Sequence, residues 1–366
     1  MNKWVDRLLK HQWSPDEIQK YIGSHRESWL LYAADNDVRA QAASGGTITS
    51  LLAYLLEQGE IDGALVCMSY VECNEVKTRY LIAKNRDELL FAQGSKYIDT
   101  DFAHDAVPLI KDFNGRLALV LLPCDTSLVS RLAQNNPAFR NKIVLKITLF
   151  CGHVSDPELT QLVVRKLKPA GVSLTDFRYR SGHWRGRLQA TFEDGTKTDR
   201  PFSTFSDYQN LYFFCTRKCL HCPDHTGYES DISVGDVWLM SMKDNPIKHN
   251  AIIIRSERAQ CILDQALNAG VIAGEQAPIE LICDAQSRSL PLHYNVTARA
   301  RAGRWLGIKI ADHIGEHVRP VDFIIAMIIM TNYRLSNTDK GRKLLYKLPK
   351  PVIKIYLYLL KALEVL

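Results

Sequence analysis

Leu117-Ala-Leu-Val-Leu-Leu122-Pro123-Cys124 and Ile143-Val-Leu-Lys-Ile-Thr-Leu-Phe150-Cys151 decide how this chain folds. Each is a nearly continuous apolar run, the pattern of a strand covered on both faces in a parallel or mixed sheet. Helix starts follow, near Asp125 and near Asp156-Pro157. The spacing predicts an α/β fold with a mixed or parallel sheet core. Both runs end in a cysteine, at the carboxyl end of a strand, where open α/β sheets place their ligands.

Working outward, Ala64–Met68 reads as another buried strand. Before it, Ser44-Gly45-Gly46 leads into a helix whose Ile48, Leu51, Leu52 and Leu55 share one face, stopped by Gly59. Ser14-Pro15-Asp16-Glu17 is a helix start in an N-terminal helical extension, 1–28. The α/β region is expected over 29–170. Beyond Gly171, Phe177–Arg180 and Leu188–Glu193 read as strands with Asp194-Gly195 as a hairpin turn, and Asp231-Ile-Ser-Val-Gly235-Asp236 as a strand entering a tight turn. The pattern sets apart a more β-rich region, 171–310. A helical C-terminal extension closes the chain, 311–366.

With 366 residues, 46% apolar and 23% charged, the chain has room for two ordinary globular cores. Net charge of +6 does not point to nucleic acid. Nine cysteines and no secretory leader lead us to expect a reducing cytoplasm, not a disulfide framework. No apolar run is long enough to span a bilayer; the longest is Phe323–Met330. From Thr331 onward eight Lys/Arg face Asp339 and Glu364, interleaved with Leu344, Leu345, Leu348, Ile353, Leu357 and Leu360. That basic amphipathic tail fits an anionic membrane surface or a partner's acidic face, and equally a helical hairpin packed on its own domain.

Cys219-Leu-His-Cys222 supplies two adjacent ligands from one turn, and Cys124 and Cys151 bring the set to four. Four thiolates suit an iron–sulfur cluster first and structural zinc second. Cys124 or Cys151 taken singly would be read as a buried small hydrophobe, and the Cys219–Cys222 pair alone would fit zinc, a cluster or a redox disulfide. Cys215-x3-Cys219-x2-Cys222 has the spacing of radical S-adenosylmethionine enzymes, but the barrel repeat those need is missing. Cys67, Cys73, Cys261 and Cys283 have no partner pattern and read as structural.

The helix after Ser44-Gly45-Gly46-Thr47 can hold a phosphate at its N-terminus, although such a turn also simply caps a helix. Gly94-Ser95-Lys96-Tyr97 is a second glycine turn, with a cation and an aromatic. Arg180-Ser-Gly-His-Trp184 pairs a cation with an indole suited to a flat ring. Neither a dinucleotide fingerprint nor a P-loop occurs.

Taken in order, Arg39, Ser44-Gly45-Gly46, Leu51, Gly59, Ile61-Asp62-Gly63, Gly94-Ser95-Lys96-Tyr97, Pro123-Cys124, Phe150-Cys151-Gly152, Cys219-x-x-Cys222-x-Asp224 and Asp231-Ile-Ser-Val-Gly235-Asp236-Val237 resemble the beta subunit family of the coenzyme F420-reducing hydrogenases and formate dehydrogenases. The resemblance runs from about Trp29 to about Arg304. It implies an oxidoreductase holding one FAD and one 4Fe-4S cluster, with Cys124, Cys151, Cys219 and Cys222 as cluster ligands. By position, Ser44–Thr47 and Gly94–Tyr97 would belong to the flavin site, with Gly235 and Asp236 as weaker members. No catalytic acid or base is implied. Many members carry an N-terminal ferredoxin module. Here the first cysteine is Cys67, so electrons are expected from a separate protein or a reduced nucleotide. The expectation is an enzyme moving electrons between an organic two-electron substrate and a one-electron partner, cytoplasmic or peripheral to the membrane. A non-catalytic relay or assembly subunit, or a structural zinc protein, is the alternative.

Overall fold

The computed structural model describes residues 11–169 and 171–364; what the sequence suggests for 1–10 lies outside them. The strands are β1 (Glu27–Ala33), β2 (Gly63–Glu72), β3 (Glu75–Ala83), β4 (Leu117–Leu121), β5 (Ile143–Leu149), β6 (Leu174–Ser181), β7 (Arg187–Phe192), β8 (Lys197–Pro201), β9 (Ile232–Asp236), β10 (Asn250–Ile254) and β11 (Ile272–Gln276). The main sheet has the order β11-β1-β10-β9-β5-β4-β2-β3. Its middle, β9-β5-β4-β2, is parallel, and the outer pairs are antiparallel. This is the mixed α/β sheet that the apolar runs predict. Leu117, Ala118, Leu119 and Leu121 of β4 and Val144, Leu145, Ile147 and Thr148 of β5 are buried on both faces of the strands.

The region 171–310 does not form a sheet of its own throughout. Only β6, β7 and β8 pair separately, as a three-stranded antiparallel sheet. Asp194-Gly195 turns β7 into β8: Gly195 has φ +81°, and Asp194 Oδ1 accepts from Thr196 N–H at 2.9 Å. The strands β9 and β10 instead complete the main sheet beside β5 and β1. Strand alternation cannot tell which sheet a strand joins, because the partner is remote in sequence.

Three helices, Pro320–Ser336, Asp339–Lys347 and Lys350–Glu364, end the described chain. Their inner faces are core: Ile325, Ile329, Met330, Leu345, Ile353, Leu357 and Leu360 are buried in one cluster with Phe205 and Phe213. Asn332 Nδ2 donates to Leu211 O at 2.8 Å, and Ser336 Oγ accepts from Phe214 N–H at 2.8 Å. The tail is therefore built into the molecule as a packed hairpin. An outer row remains exposed: Val352, Ile355, Tyr358 and Leu359. Among the described residues no helix is long and apolar enough to cross a membrane.

Candidate functional site

Sheet register brings the first two cysteines together. Parallel pairing sets Leu121 opposite Thr148, so Cys124 and Cys151 each lie three residues beyond, at one carboxyl edge. Cys124 is the second residue of the helix Pro123–Asn135, and Cys151 begins the loop after β5. The Cys219–Cys222 segment, a short 3-10 turn (Arg217–His221), closes on the same edge. Val154 N–H reaches Cys219 Sγ at 3.4 Å, and Cys151 N–H donates to His225 O at 2.9 Å.

The thiols sense one another. Burial, then the charges of Cys219, Cys124 and Cys222, hold the Cys151 thiol well above its usual range. Burial, then Asp125 and Cys222, raise Cys124. Cys222 is pushed up to about 12, mainly by burial. Cys219 goes the other way, to about 7, through the neighbouring Cys215 thiol first, with Thr216 Oγ1 (3.1 Å) and Val154 N–H also lowering it. Four anions in mutual reach resist ionising together without a cation among them. Among the described residues no three His, Cys, Asp or Glu side chains converge as a single-ion site. Cys67, Cys73, Cys261 and Cys283 lie elsewhere, on β2, its turn and two distant helices.

The loop carrying the pair is shaped by Asp224. Its Oδ1 accepts from Thr226 N–H (3.0 Å) and Gly227 N–H (2.6 Å), and its Oδ2 from Tyr228 N–H (2.9 Å). Gly235 has a packing role: a Cβ there would stand 1.9 Å from the Phe150 ring, just ahead of Cys151.

Of the residues expected at a flavin site, Ser44 and Asp236 line a second region together with residues the expectation did not include. Ser44, Asp236, Trp184, Trp238, Lys248 and His249 line a small recess with Arg180. The buried Arg180 pairs with Asp236 at 2.5 Å, lies 4.8 Å from the Trp238 ring centroid and reaches the Tyr97 hydroxyl. Arg180 Nε and Trp184 Nε1 are buried donors without a partner, which suits a flat ligand rich in acceptors. Burial, then Arg180, lowers Lys248 to about 8.

Thr47 opens the helix Thr47–Glu57, whose N-cap, Gly46, has no side chain to cap it. Its N–H donates to Asn250 Oδ1 at 3.2 Å, but its Oγ1 is buried and unpartnered. A helix N-terminus beside an orphaned hydroxyl fits an anion. Gly45 and Gly46 have internal reasons as well. A Cβ at Gly45 would lie 2.7 Å from Leu31 O, and Gly46 has φ +80° with Val38 at 3.1 Å. Gln93 Nε2 donates to Thr49 Oγ1 at 3.1 Å, setting the Gly94–Tyr97 turn beside that helix. Ser155, in the loop after Cys151, bridges to Ile98 on one side and Cys215 on the other. Within the turn, Gly94 is exposed and Lys96 folds back on Gly94 O at 2.9 Å. Burial lowers Lys96 to about 8.

A polar chain links the two centres. The His225 ring spans Cys151 O (Nδ1, 3.1 Å) and Gln286 Oε1 (Nε2, 3.2 Å), and Gln286 Nε2 donates to Asp236 O at 2.7 Å. Burial lowers His225 to about 4, and since both partners are acceptors a neutral ring donates to one of them at a time. The sequence reading missed His225, Gln286, Trp238 and Arg299. No spacing rule marks them, since each acts across a long gap in the chain.

Residues 29–103 match the model for the N-terminal part of the coenzyme F420 hydrogenase/dehydrogenase beta subunit, and residues 114–279 match the model for its C terminus. The chain belongs to this family. It is a member of a family of electron-transfer oxidoreductase subunits. Over 267 residues it is 27% identical to the coenzyme F420 hydrogenase subunit beta of Methanothermobacter thermautotrophicus, taking in 71% of this chain and 86% of that protein. It is 24% identical over 264 residues to the coenzyme F420 hydrogenase subunit beta of Methanosarcina barkeri, covering 71% of this chain and 84% of the relative. A chain of the F420-reducing NiFe hydrogenase complex from Methanosarcina barkeri shares the fold, with a TM-score of 0.60 and 20% identity over 83% of this chain and 99% of that one.

Proposed function

We propose that this family member binds FAD and one 4Fe-4S cluster and moves electrons between an organic two-electron substrate and a separate one-electron partner. The observation that carries the reading is the gathering of Cys124, Cys151, Cys219 and Cys222 at one edge of the sheet, each within the electrostatic reach of the others. A donor set of four thiols suits a cluster. These four side chains would hold it. The start of the helix Thr47–Glu57, with its orphaned Thr47 hydroxyl, would receive the flavin diphosphate, and the Arg180–Trp184–Trp238 recess a flat ring. When bound, flavin converts a hydride into single electrons and the cluster conducts them one at a time.

The chain's own residues hold the two centres at fixed spacing. His225 and Gln286 tie the backbone at Cys151 to the backbone at Asp236. Phe150, packed on Gly235, keeps the Cys151 side of the site apolar. The partner side is a separate protein or a reduced nucleotide, and coenzyme F420, carried in the relatives' names, is the first substrate to assay. The exposed row Val352, Ile355, Tyr358 and Leu359, flanked by Lys354 and Lys361, would rest on an anionic lipid surface.

The test is anaerobic purification with iron, sulfide and flavin analysis. Wild type should carry four irons and one flavin per chain. The double variant Cys219→Ser, Cys222→Ser should lose its iron and its broad visible absorbance, while Cys261→Ser keeps both. Thr47→Val, which adds no bulk, should release flavin with the fold intact. Near-normal iron in the double variant, or zinc in place of iron in wild type, overturns the cluster assignment.

A further inference from the structure

Arg299 is the largest fully buried side chain among the described residues, 1% exposed, on the helix Val296–Trp305. A buried cation is normally matched by a carboxylate. Arg299 has none among the described residues: its hydrogen bonds all go to main-chain carbonyls. Nε donates to Leu220 O (3.0 Å), one terminal nitrogen to Leu292 O (2.6 Å), and the other to His293 O (2.8 Å) and Cys222 O (3.3 Å). Two of those acceptors, Leu220 and Cys222, belong to the Cys219–Cys222 segment. Burial works against its charge, and Tyr212 and the thiols of Cys215, Cys222 and Cys219 are the neighbours that offset this when ionised. Carbonyl dipoles alone leave a full charge in a dry interior uncompensated. The arrangement makes electrostatic sense when the neighbouring thiols are ionised and hold a metal centre of net negative charge.

We propose that Arg299 is the built-in counter-charge of the thiolate site, a positioning residue that fixes the Cys219–Cys222 segment and raises the reduction potential of the cluster bound there. The inference rests on the cluster reading above. A 4Fe-4S centre with four cysteinates is already anionic, and one-electron reduction adds another negative charge with no bond made or broken. A fixed cation nearby stabilises the reduced form more than the oxidised one, so it raises the potential. Net charge and hydrogen bonding around the sulfurs are among the levers proteins use for this. Arg301 and Arg304, on the same helix, are exposed and cannot take the role.

The experiment is an EPR-monitored redox titration of anaerobically purified full-length protein as wild type, Arg299→Lys and Arg299→Met. Iron analysis comes first, and wild type without iron overturns the cluster reading itself. With iron present, Arg299→Met should lower the reduction equilibrium constant at least tenfold, about 59 mV for one electron, while Arg299→Lys stays within that margin of wild type. A purely structural role would change iron content or melting temperature and leave the midpoint where it was. An iron-loaded Met variant at the wild-type potential overturns the inference, as does an equal shift in the Lys and Met variants. If the Met variant does not fold, Arg299→Gln replaces it under the same criteria. If neither neutral variant folds, the Lys variant decides: a wild-type midpoint supports the counter-charge, and lost iron or a tenfold shift overturns it.

Discussion

At the scale of single residues, the Cys151 edge of the sheet depends on close packing between neighbouring strands. Gly235 shows this most clearly. It lies in β9, next to β5, and the Phe150 ring occupies the space where its side chain would be. Gly235→Val must displace that ring and, with it, the neighbouring Cys151. The expected cost is roughly 1–3 kcal/mol of overpacking, read by urea unfolding, together with lost iron. Gly152→Ala is the matched comparison, because a Cβ there meets nothing within 4 Å; it should change stability by less than about 0.5 kcal/mol. Equal stability of the two variants would refute the packing account. Gly46→Val would be a poor probe of flavin by comparison, since it collides with Val38 and Ala33 whatever is bound.

Elements combine jobs that the sequence reading had kept apart. The helix Lys350–Glu364 is read from sequence as either a membrane-seeking tail or a packed hairpin. Its two faces divide the roles. Ile353, Leu357 and Leu360 are buried, and Val352, Ile355 and Leu359 point outward at 47%, 62% and 62% exposure. Apolar side chains exposed in a row mark a contact surface, and Lys354 and Lys361, which stand over the Tyr358 ring, give it a basic flank. The paired substitution Ile355→Glu, Leu359→Glu should abolish flotation with anionic vesicles at low salt and leave the melting temperature within about 2 °C, since neither side chain is core. Leu357→Glu should unfold the segment instead. Wild-type protein that ignores both anionic and neutral vesicles would end the lipid reading. Ending the chain near Val318 would not be a clean control, because Asn332 and Ser336 brace the segment that leads to Cys215.

Over the whole molecule, burial of ionisable groups couples stability to pH. Burial lowers His153 and His225 to about 4 and His293 well below its ordinary value, and both ring nitrogens of His293 lack partners. A histidine kept neutral in the fold takes a proton only on unfolding, so stability falls as pH drops below about 6.5. Asp125 and Asp224, whose carboxyls are raised by burial, act in the opposite sense. The His293 share therefore shows as a difference between proteins: His293→Phe should flatten the acid limb of the stability curve by up to about 1.4 kcal/mol per pH unit, measured by urea unfolding from pH 7 to pH 5. Parallel curves for the two proteins would show that His293 is protonated alike in both states. The sequence by itself determined the α/β character, the strands ending at Cys124 and Cys151, the Cys219–Cys222 pair and the helix after Gly46, because apolar periodicity, breaker residues and ligand spacing are local patterns. Only the tertiary structure decided that β9 and β10 complete the main sheet and that one helical face of the tail is core while the other is free. It also decided that Arg180 meets Asp236 across 56 positions and Arg299 meets Cys222 across 77. Contacts at such separations follow from how elements pack, and packing is set by complementary surfaces that leave no period or motif in the chain.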